Sequence, residues 1–300
     1  MEFGALPVSR LNKINFILPP DPRGNKTILS SGKSKQTRVY LGCAKWGRKE
    51  WVGKLYPKGT REKDFLKYYG RYYDSIELNA THYKMYSGEQ LTSWGKEVNH
   101  PGFRFCPKAH RGMCYLKDSP NKTHLTSDFI DNIRELGDQL GPVFITHDEK
   151  IKWDEIGEVQ FFEYLESLPR DIRFFVEERW PGFYADKKLQ SRYYTKLKEL
   201  GIGAVITDTA GRQDVLHMQL TIPKTFIRFV GNSLHPTDYT RIDHWAKRIK
   251  KWIDGGIEEI YFFMHMHNEA TSPELTKYVV EQFNRVCRLD LSPVRLLNDK

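Results

Sequence analysis

Residues 172–208 read IRFFVEERWPGFYADKKLQSRYYTKLKELGIGAVITD. The apolar runs 172–177 and 203–208 have the length of short buried strands. Between them, an apolar stripe at helical spacing comprises Leu189, Tyr193, Tyr194, Leu197 and Leu200. Gly201 predicts the end of this helix, because glycine accepts the left-handed backbone that often closes a helix. The order predicts a strand–helix–strand unit of a parallel sheet.

Similar runs recur along most of the chain, with helical patterns between most of them. Eight strands are predicted, at 38–43, 74–79, 103–107, 141–146, 172–177, 203–208, 225–230 and 258–264. The weakest helical patterns are the second, around Leu91 and Trp94, and the sixth, around Val215 to Leu220. Eight such units in about 260 residues predict an α/β fold, a single (β/α)8 TIM-type barrel. A doubly wound open sheet is the alternative, but no Gly-x-Gly-x-x-Gly loop follows the first strand.

The chain divides into two predicted parts, an irregular N-terminal extension at 1–37 and the TIM-type barrel domain at 38–300. The extension is rich in proline, and its segment 30–35 has the serine, glycine and lysine content of a linker. We expect the extension to pack on the outside of the barrel or to be partly disordered.

Charge and composition narrow the class of protein. The net charge is +9, from 47 basic and 38 acidic residues, which favours a nucleic acid or an anionic small molecule as partner. A merely basic protein is the alternative. No apolar run approaches the roughly 18 residues that span a bilayer, so no membrane is expected as partner. Because the four cysteines form no Cys-x-x-Cys pair, we predict a cytoplasmic protein with packing thiols. The oligomeric state is left open.

Polar residues end or interrupt an unusual number of the predicted strands. They are Glu77, Asn79, Lys108, Glu177, Arg179, Asp208 and Arg228. Burying a charge costs free energy even when the charge is paired. A contribution to stability alone is therefore a poor explanation for so many charged residues in strands. In a barrel the carboxyl ends of all strands meet at one mouth. The sequence therefore predicts a polar site built from several strands at that mouth.

The acidic residues Glu77, Glu177 and Asp208 are the candidates for catalysis, as general bases or metal ligands. Residues at i and i+2 share one face of a strand, so Glu77 should point with Asn79 and Glu177 with Arg179. The alternative is an interior network of ion pairs.

The remaining polar residues are predicted to bind substrate or to order the acids. Lys108 and Arg179 would hold an anion, and Asn79 would position substrate or water. Arg228 lies among apolar neighbours, and its expected partners are Asp208 and Glu177.

The loop after the first strand, residues 45–51, interleaves basic and aromatic side chains. Such a pattern can bind phosphates and stack bases, which makes Lys45 and Trp46 substrate-binding candidates. Packing of the aromatic residues against the barrel is the alternative. His82, just past the second strand, is a further candidate on the same rim.

Two histidines raise the question of a metal. His265 and His267 are spaced i, i+2 at the end of the eighth strand and could face one divalent ion. Ordinary hydrogen-bonded histidines are the alternative, so the cofactor is left unknown, with a divalent metal as the one candidate.

Several of these segments resemble a known family. Residues 76–83, Ile-Glu-Leu-Asn-Ala-Thr-His-Tyr, are similar to the Val-Glu-Ile-Asn-Ser-Thr-Phe-Tyr signature of the YecE-like family, domain of unknown function 72. Residues 102–108 and 176–179 resemble its Gly-Phe-x-Phe-x-x-Lys and Val-Glu-x-Arg elements. The resemblance implies a barrel fold and no particular activity. Trp180 stands where the family pattern has histidine, and residues 264–267 replace an Asn-Asn-Asp-like segment.

The leading hypothesis is an enzyme that acts on an anionic substrate, a phosphoester or a nucleic acid, with carboxylates at the C-terminal barrel face. A phosphoester hydrolase is the reaction class that charge and analogy with other barrels favour. One alternative is a non-catalytic nucleic-acid-binding protein. The other is a carbohydrate-active enzyme that uses Glu77 and Glu177 as its two catalytic glutamates.

Overall fold

The computed structural model of the chain describes residues 3–34, 36–114, 122–147 and 153–297. It contains eight strands: β1 (Arg38–Cys43), β2 (Ser75–Leu78), β3 (Arg104–Pro107), β4 (Val143–His147), β5 (Phe174–Glu178), β6 (Gly203–Asp208), β7 (Lys224–Gly231) and β8 (Glu259–Met266). All eight were predicted, each within two residues at either end.

The strands are parallel and follow the order β3-β2-β1-β8-β7-β6-β5-β4. The two ends of this order, β3 and β4, meet through two short bridges. Gly141 N donates to Phe105 O at 2.8 Å, and Ala109 N donates to Phe144 O at 2.9 Å. The sheet is therefore a nearly closed barrel, which confirms the predicted TIM-type fold.

Eleven helices lie in the described residues: α1 (Val8–Leu11), α2 (Asn25–Ser30), α3 (Phe65–Tyr69), α4 (Gly88–Val98), α5 (Arg111–Cys114), α6 (Lys122–Arg134), α7 (Glu155–Ser167), α8 (Pro181–Ala185), α9 (Lys187–Leu200), α10 (Pro236–Gly255) and α11 (Ser272–Cys287). The weak second pattern is a helix, α4, and Gly201 ends α9 in the left-handed conformation, as predicted. The sixth pattern is not an α-helix. The connection from β6 to β7 contains only a 3-10 turn at Gln213–Val215.

The N-terminal segment, residues 3–34, packs against the β6–β7 connection and against α10. The Asn25 side chain donates to Met218 O at 2.8 Å and accepts from Leu220 N at 3.0 Å, and both partners belong to the β6–β7 connection. Asp21 accepts from Arg248 and Trp252 of α10. The described extension thus packs on the outside of the barrel, one of the two expected arrangements. The division of domains at residues 37 and 38 stays a prediction.

Aromatic side chains fill the middle of the barrel. This inner layer comprises Tyr40, Cys106, Phe144, Phe175, Val205, Ile222, Phe226, Tyr261 and Phe263. The rings pack closely, with 4.7 Å between the centroids of Tyr40 and Tyr261 and 4.8 Å between those of Phe226 and Phe263. A larger apolar cluster joins the outer faces of the strands to the helices. In the described parts of the chain, no helix combines the length and the apolar character needed to cross a membrane.

Candidate functional site

A polar layer lies directly above the aromatic layer, at the C-terminal end of the barrel. On six strands, the residue two positions beyond an inner-layer residue shares its inward face because side chains alternate along a strand. These six residues are Lys108, Thr146, Glu177, Thr207, Arg228 and His265. Glu77 of β2 joins them through its contacts with Arg228 and His265. The layer is nearly sealed, since Glu77, Glu177, Arg228 and His265 are each at most 1% exposed.

Arg228 holds two carboxylates at the centre of this layer. Its Nε and Nη2 donate to Glu77 Oε2 and Oε1 at 2.9 and 2.8 Å, and its Nη1 donates to Glu177 Oε1 at 2.7 Å. Glu177 was an expected partner of Arg228. The second partner of Arg228 is Glu77, from across the barrel, and not Asp208 as predicted. One guanidinium therefore fixes the spacing of both acids.

The other oxygen positions of the two acids are also occupied. Asn79 Nδ2 donates to Glu77 at 2.8 Å, and His265 Nε2 lies 2.9 Å from Glu77 Oε2. Glu177 accepts from Arg179 Nη2 at 2.7 Å, and the hydroxyls that also donate to it are those of Thr146 and Thr207. The prediction that Asn79 lies on the same side as Glu77, and Arg179 on the same side as Glu177, is confirmed.

Electrostatics keep both carboxylates ionised. Burial alone would raise the pKa of Glu77, but Arg228 and His265 outweigh it and hold that pKa well below its usual range. The pKa of Glu177 is likewise low, because the nearby cations, Arg179 foremost, outweigh burial. Neither acid is therefore a proton donor near neutral pH, and both serve the neighbouring cations as counter-charges.

Lys108 differs from the other charges of the layer. It is 9% exposed, and its Nζ lies 5.8 Å from the centroid of the Phe144 ring. Within the described residues its amine has no hydrogen-bond partner and no carboxylate within 4.0 Å. Burial, then Arg179 and Arg228, lower the pKa of Lys108 from an ordinary 10.5 to about 8. Among the described residues, the layer thus contains one amine without a hydrogen-bond partner or a counter-ion.

Arg179 forms the outer edge of the layer, beneath the start of the chain. Its guanidinium carbon lies 4.2 Å from the centroid of the Phe3 ring. Phe3 is held there because the Gly4 carbonyl accepts from Gly211 N at 2.8 Å. The approach is close, since a Cβ on Gly4 would lie 2.4 Å from the side chain of Thr209. Arg179 Nε is buried without a hydrogen-bond partner in the described chain, so the mouth keeps an unused donor.

Three further predicted residues, His82, Trp46 and Lys45, lie in the loops at the rim of the barrel and not in the polar layer. His82 is half-buried, its Nδ1 lies 2.8 Å from Ala109 O, and burial followed by Lys108 lowers its pKa to about 4. Trp46 packs edge-on against Trp94 with 5.3 Å between ring centroids. Lys45 is exposed. His82 is thus a neutral neighbour of Lys108, whereas Trp46 is occupied by packing.

The prediction that Asp208 faces the same mouth is wrong. Asp208 follows the inward Thr207 by one position, so its side chain points out of the barrel toward α10. There its carboxylate lies 2.7 Å from Arg241 Nη2 and accepts from Trp245 Nε1 at 2.8 Å. Arg241, which was not predicted as part of a site, also contacts Asp238 at 3.3 Å. Asp208 belongs to a second charge cluster that attaches α10 to the barrel.

A similar outward cluster surrounds Glu178, which follows Glu177 and was also not predicted. Its carboxylate accepts from Trp153 Nε1 at 2.8 Å and from Trp180 N at 2.7 Å, and His147 Nδ1 lies 2.8 Å from it. All are buried or half-buried outside the barrel wall. Glu178 therefore joins the start of α8 to the end of β4, and it takes no part in the inner layer.

The metal hypothesis has no cluster to support it in the described chain. No group of three or more His, Cys, Asp and Glu side chains there is arranged to hold an ion. His265 Nε2 faces Glu77, and His267 does not join it in such a group. The described cysteines Cys43, Cys106 and Cys287 are free and buried, and burial raises the pKa of each thiol.

The chain is similar to proteins of one family over most of its length. A family model described as "Protein of unknown function DUF72" matches residues 40–294. The UPF0759 protein YecE of Escherichia coli K12 is 23% identical over 265 residues, which cover 82% of this chain and 93% of that protein.

Solved structures of DUF72 family proteins have a similar fold. One from Enterococcus faecalis V583 gives a TM-score of 0.66 at 15% identity and covers 87% of this chain and 98% of that one. Another, from Thermotoga maritima MSB8, gives a TM-score of 0.62 at 19% identity and covers 84% of this chain and 100% of that one. At these identities the likeness supports the barrel fold alone.

Proposed function

Since this chain belongs to the DUF72 family, whose description leaves the activity open, we propose a function from the chemistry of the polar layer itself. The proposal is an enzyme whose substrate carries an anionic group, such as a phosphate ester, at the C-terminal mouth of the barrel. Lys108 and Arg179 bind that group. Glu77, Glu177 and Arg228 set the charge and position of those two cations, and Asn79 and His265 hold Glu77.

The balance of charge in the layer supports an anionic substrate. With His265 left out of the count, three cations, Lys108, Arg179 and Arg228, face two ionised carboxylates, Glu77 and Glu177, which leaves one positive charge when Lys108 is protonated. The excess lies at Lys108, which has no carboxylate within 4.0 Å among the described residues. The observation that carries the proposal is this unpaired lysine beside the unused Nε donor of Arg179. A buried cation gains most from an anion that arrives with the substrate.

The carbohydrate hypothesis has less support. A pair of catalytic carboxyl groups needs environments that separate their pKa values, so that one can donate a proton. Here the pKa values of Glu77 and Glu177 are both lowered, and both side chains are fully engaged. Catalytic roles for these two acids, and phosphoester hydrolysis as the reaction, stay predictions.

A small molecule fits the proposal better than a nucleic acid. Stacking of bases needs exposed aromatic faces, but in the loop after β1 Trp51 is fully buried and donates to Glu269 O at 2.9 Å. Lys49 of the same loop pairs with Glu62 at 2.7 Å. Nucleic acid as partner, with Lys45 as a contact, stays a prediction, as does the cytoplasmic location.

Arg179→Met should weaken the binding of inorganic phosphate at pH 7 by about tenfold or more, because a charge-assisted hydrogen bond is lost from the mouth. Isothermal titration calorimetry of the full chain measures this affinity. The matched control is Lys247→Met, which removes an exposed cation of α10 far from the layer and should leave the affinity unchanged.

Equal phosphate affinity in Arg179→Met and the unaltered chain would contradict the proposed anion site. Arg179→Lys separates charge from geometry, since it keeps the cation but loses the guanidinium fork, and it should retain part of the affinity. Salt-dependent binding of a single-stranded oligonucleotide that is lost in Lys45→Met and kept in Arg179→Met would favour the nucleic-acid alternative.

A further inference from the structure

We propose that Lys108 is a nucleophile that forms an imine with an aldehyde or ketone carbonyl of the substrate. The inference rests on the proposed function, because the anionic group of the substrate is what places the carbonyl beside the amine. It narrows the substrate class to carbonyl compounds that carry a phosphate or a comparable anion.

The backbone fixes the position of Lys108 at the end of β3. Its N–H donates to Leu78 O of β2 at 3.1 Å, and its carbonyl accepts from Thr81 Oγ1 at 2.7 Å. The next residue, Ala109, is bonded to Phe144 O of β4 at 2.9 Å. The side chain therefore starts from a point tied to both neighbouring strands, and its Nζ lies 5.8 Å from the centroid of the Phe144 ring. A reacting amine needs this kind of support from rigid elements.

The surroundings of the amine favour its neutral, nucleophilic form. A lysine is activated when it is desolvated or lies next to another cation, and Lys108 meets both conditions. The charged and titratable groups that face it come from four different elements, namely Arg179 and Glu177 (β5 and its end), Arg228 (β7), Glu77 (β2) and His82 (the turn after β2). Both carboxylates are already bound to arginines, so neither forms an ion pair with the amine.

At neutral pH a useful share of this amine is uncharged. With a pKa of about 8, about 10% of it is neutral at pH 7, roughly 300 times the neutral fraction of an ordinary lysine. Arg179 can hold the anionic group of the substrate at the same time, because its side chain is 13% exposed and its Nε has no hydrogen-bond partner in the described chain. Arg179 thus positions the anionic group, while Lys108, which adds its charge to the anion site when protonated, attacks the carbonyl in its neutral form.

The step balances without any further reactant. The lone pair of neutral Lys108 Nζ attacks the carbonyl carbon, the C–N bond forms as the C=O π bond breaks, and one of the two amine protons moves to the oxygen to give a carbinolamine. The second amine proton joins that oxygen as the C–O bond breaks, so that water leaves and the nitrogen lone pair forms the C=N bond of the imine. No electron transfer occurs, and hydrolysis returns the free amine.

The experiment uses the unaltered full chain with glycolaldehyde phosphate and sodium cyanoborohydride at pH 7. The reductant converts an imine into a stable secondary amine, and peptide mapping by mass spectrometry locates it. Lys108 should be modified at least about tenfold faster than the exposed Lys247, because its amine is desolvated beside other cations and the phosphate is held nearby. Inorganic phosphate should slow the reaction at Lys108, and neutral glycolaldehyde should react there more slowly than its phosphate ester.

The outcomes separate this inference from the proposed function. Phosphate binding that depends on Arg179, together with modification of Lys108 no faster than of Lys247, would overturn the imine and leave the anion site intact. Absence of both phosphate binding and preferential modification would overturn both proposals. Fast modification of Lys108 that phosphate does not slow would overturn the anionic substrate class and, with it, the inference as stated.

Discussion

Arg228→Met should destabilise the fold by about 3–5 kcal/mol, because it leaves the buried carboxylates of Glu77 and Glu177 without their shared counter-ion. Urea denaturation at pH 7 measures the free energy of unfolding. The same substitution removes a cation from beside Lys108, so the pKa of that lysine should rise from about 8 toward its ordinary value. Stability and the titration of Lys108 should therefore change together.

The matched control is Arg192→Met. Arg192 holds Glu158 with the same side-on geometry, Nε to Oε1 and Nη2 to Oε2 both at 2.8 Å, but its side chain is 57% exposed. Solvent screens such a pair, so the control should change the stability little. An Arg228→Met protein that unfolds at the same urea concentration as the unaltered chain would contradict the description of the polar layer as a buried ion-pair cluster.

Arg241→Met should destabilise the protein by a comparable amount, about 3–5 kcal/mol, because Asp208 and Asp238 would lose their buried partner. Arg241 also donates to the carbonyls of Asp208 and Val230, each at 3.0 Å, so the attachment of α10 to the barrel weakens. Urea denaturation is again the measurement.

The two arginine variants should differ in one respect. Arg241 lies outside the barrel wall with Asp208 and is not among the main causes of the lowered pKa of Lys108, so Arg241→Met should leave the titration of Lys108 nearly unchanged where Arg228→Met alters it. Loss of phosphate binding in folded Arg241→Met protein would contradict the assignment of the Asp208 cluster to the outside of the barrel wall.

The strands and the barrel were predictable because short apolar runs and helical stripes alternate eight times. The inward or outward direction of a single residue was not. Parallel strands in a barrel are covered on both faces, so their apolar runs carry no alternation that marks the inner side. Glu177 and Glu178 are equally polar, yet only Glu177 faces the axis. Asp208 was misplaced by one position for the same reason.

The extension illustrates a second limit. Its prolines and linker-like segment did not indicate where the extension would pack. The weak helical pattern at residues 215–220 did not indicate that this helix would be absent. The N-terminal segment is held against the β6–β7 connection by contacts between residues about 190 positions apart, such as Asn25 with Met218 and Leu220. Local propensity cannot report contacts of that separation.

The pairing of charges was only partly predictable. Spacing on one strand gave the pairs of Glu77 with Asn79 and of Glu177 with Arg179. It could not give the contact of Arg228 with Glu77 across the barrel, because that contact depends on side-chain length and on closure of the sheet. For the same reason the sequence could not single out Lys108 as the cation left without a partner in the described layer.

The titration of Lys108 tests the central claim most directly. Lysine labelled with 13C at the ε-carbon reports protonation by NMR, and comparison with Lys108→Arg assigns the signal. The unpaired, desolvated amine should titrate with a midpoint near its pKa of about 8. A midpoint at the ordinary value of 10.5 would show that Lys108 is solvated or paired with a carboxylate, and the proposed cationic site would then lack its free amine.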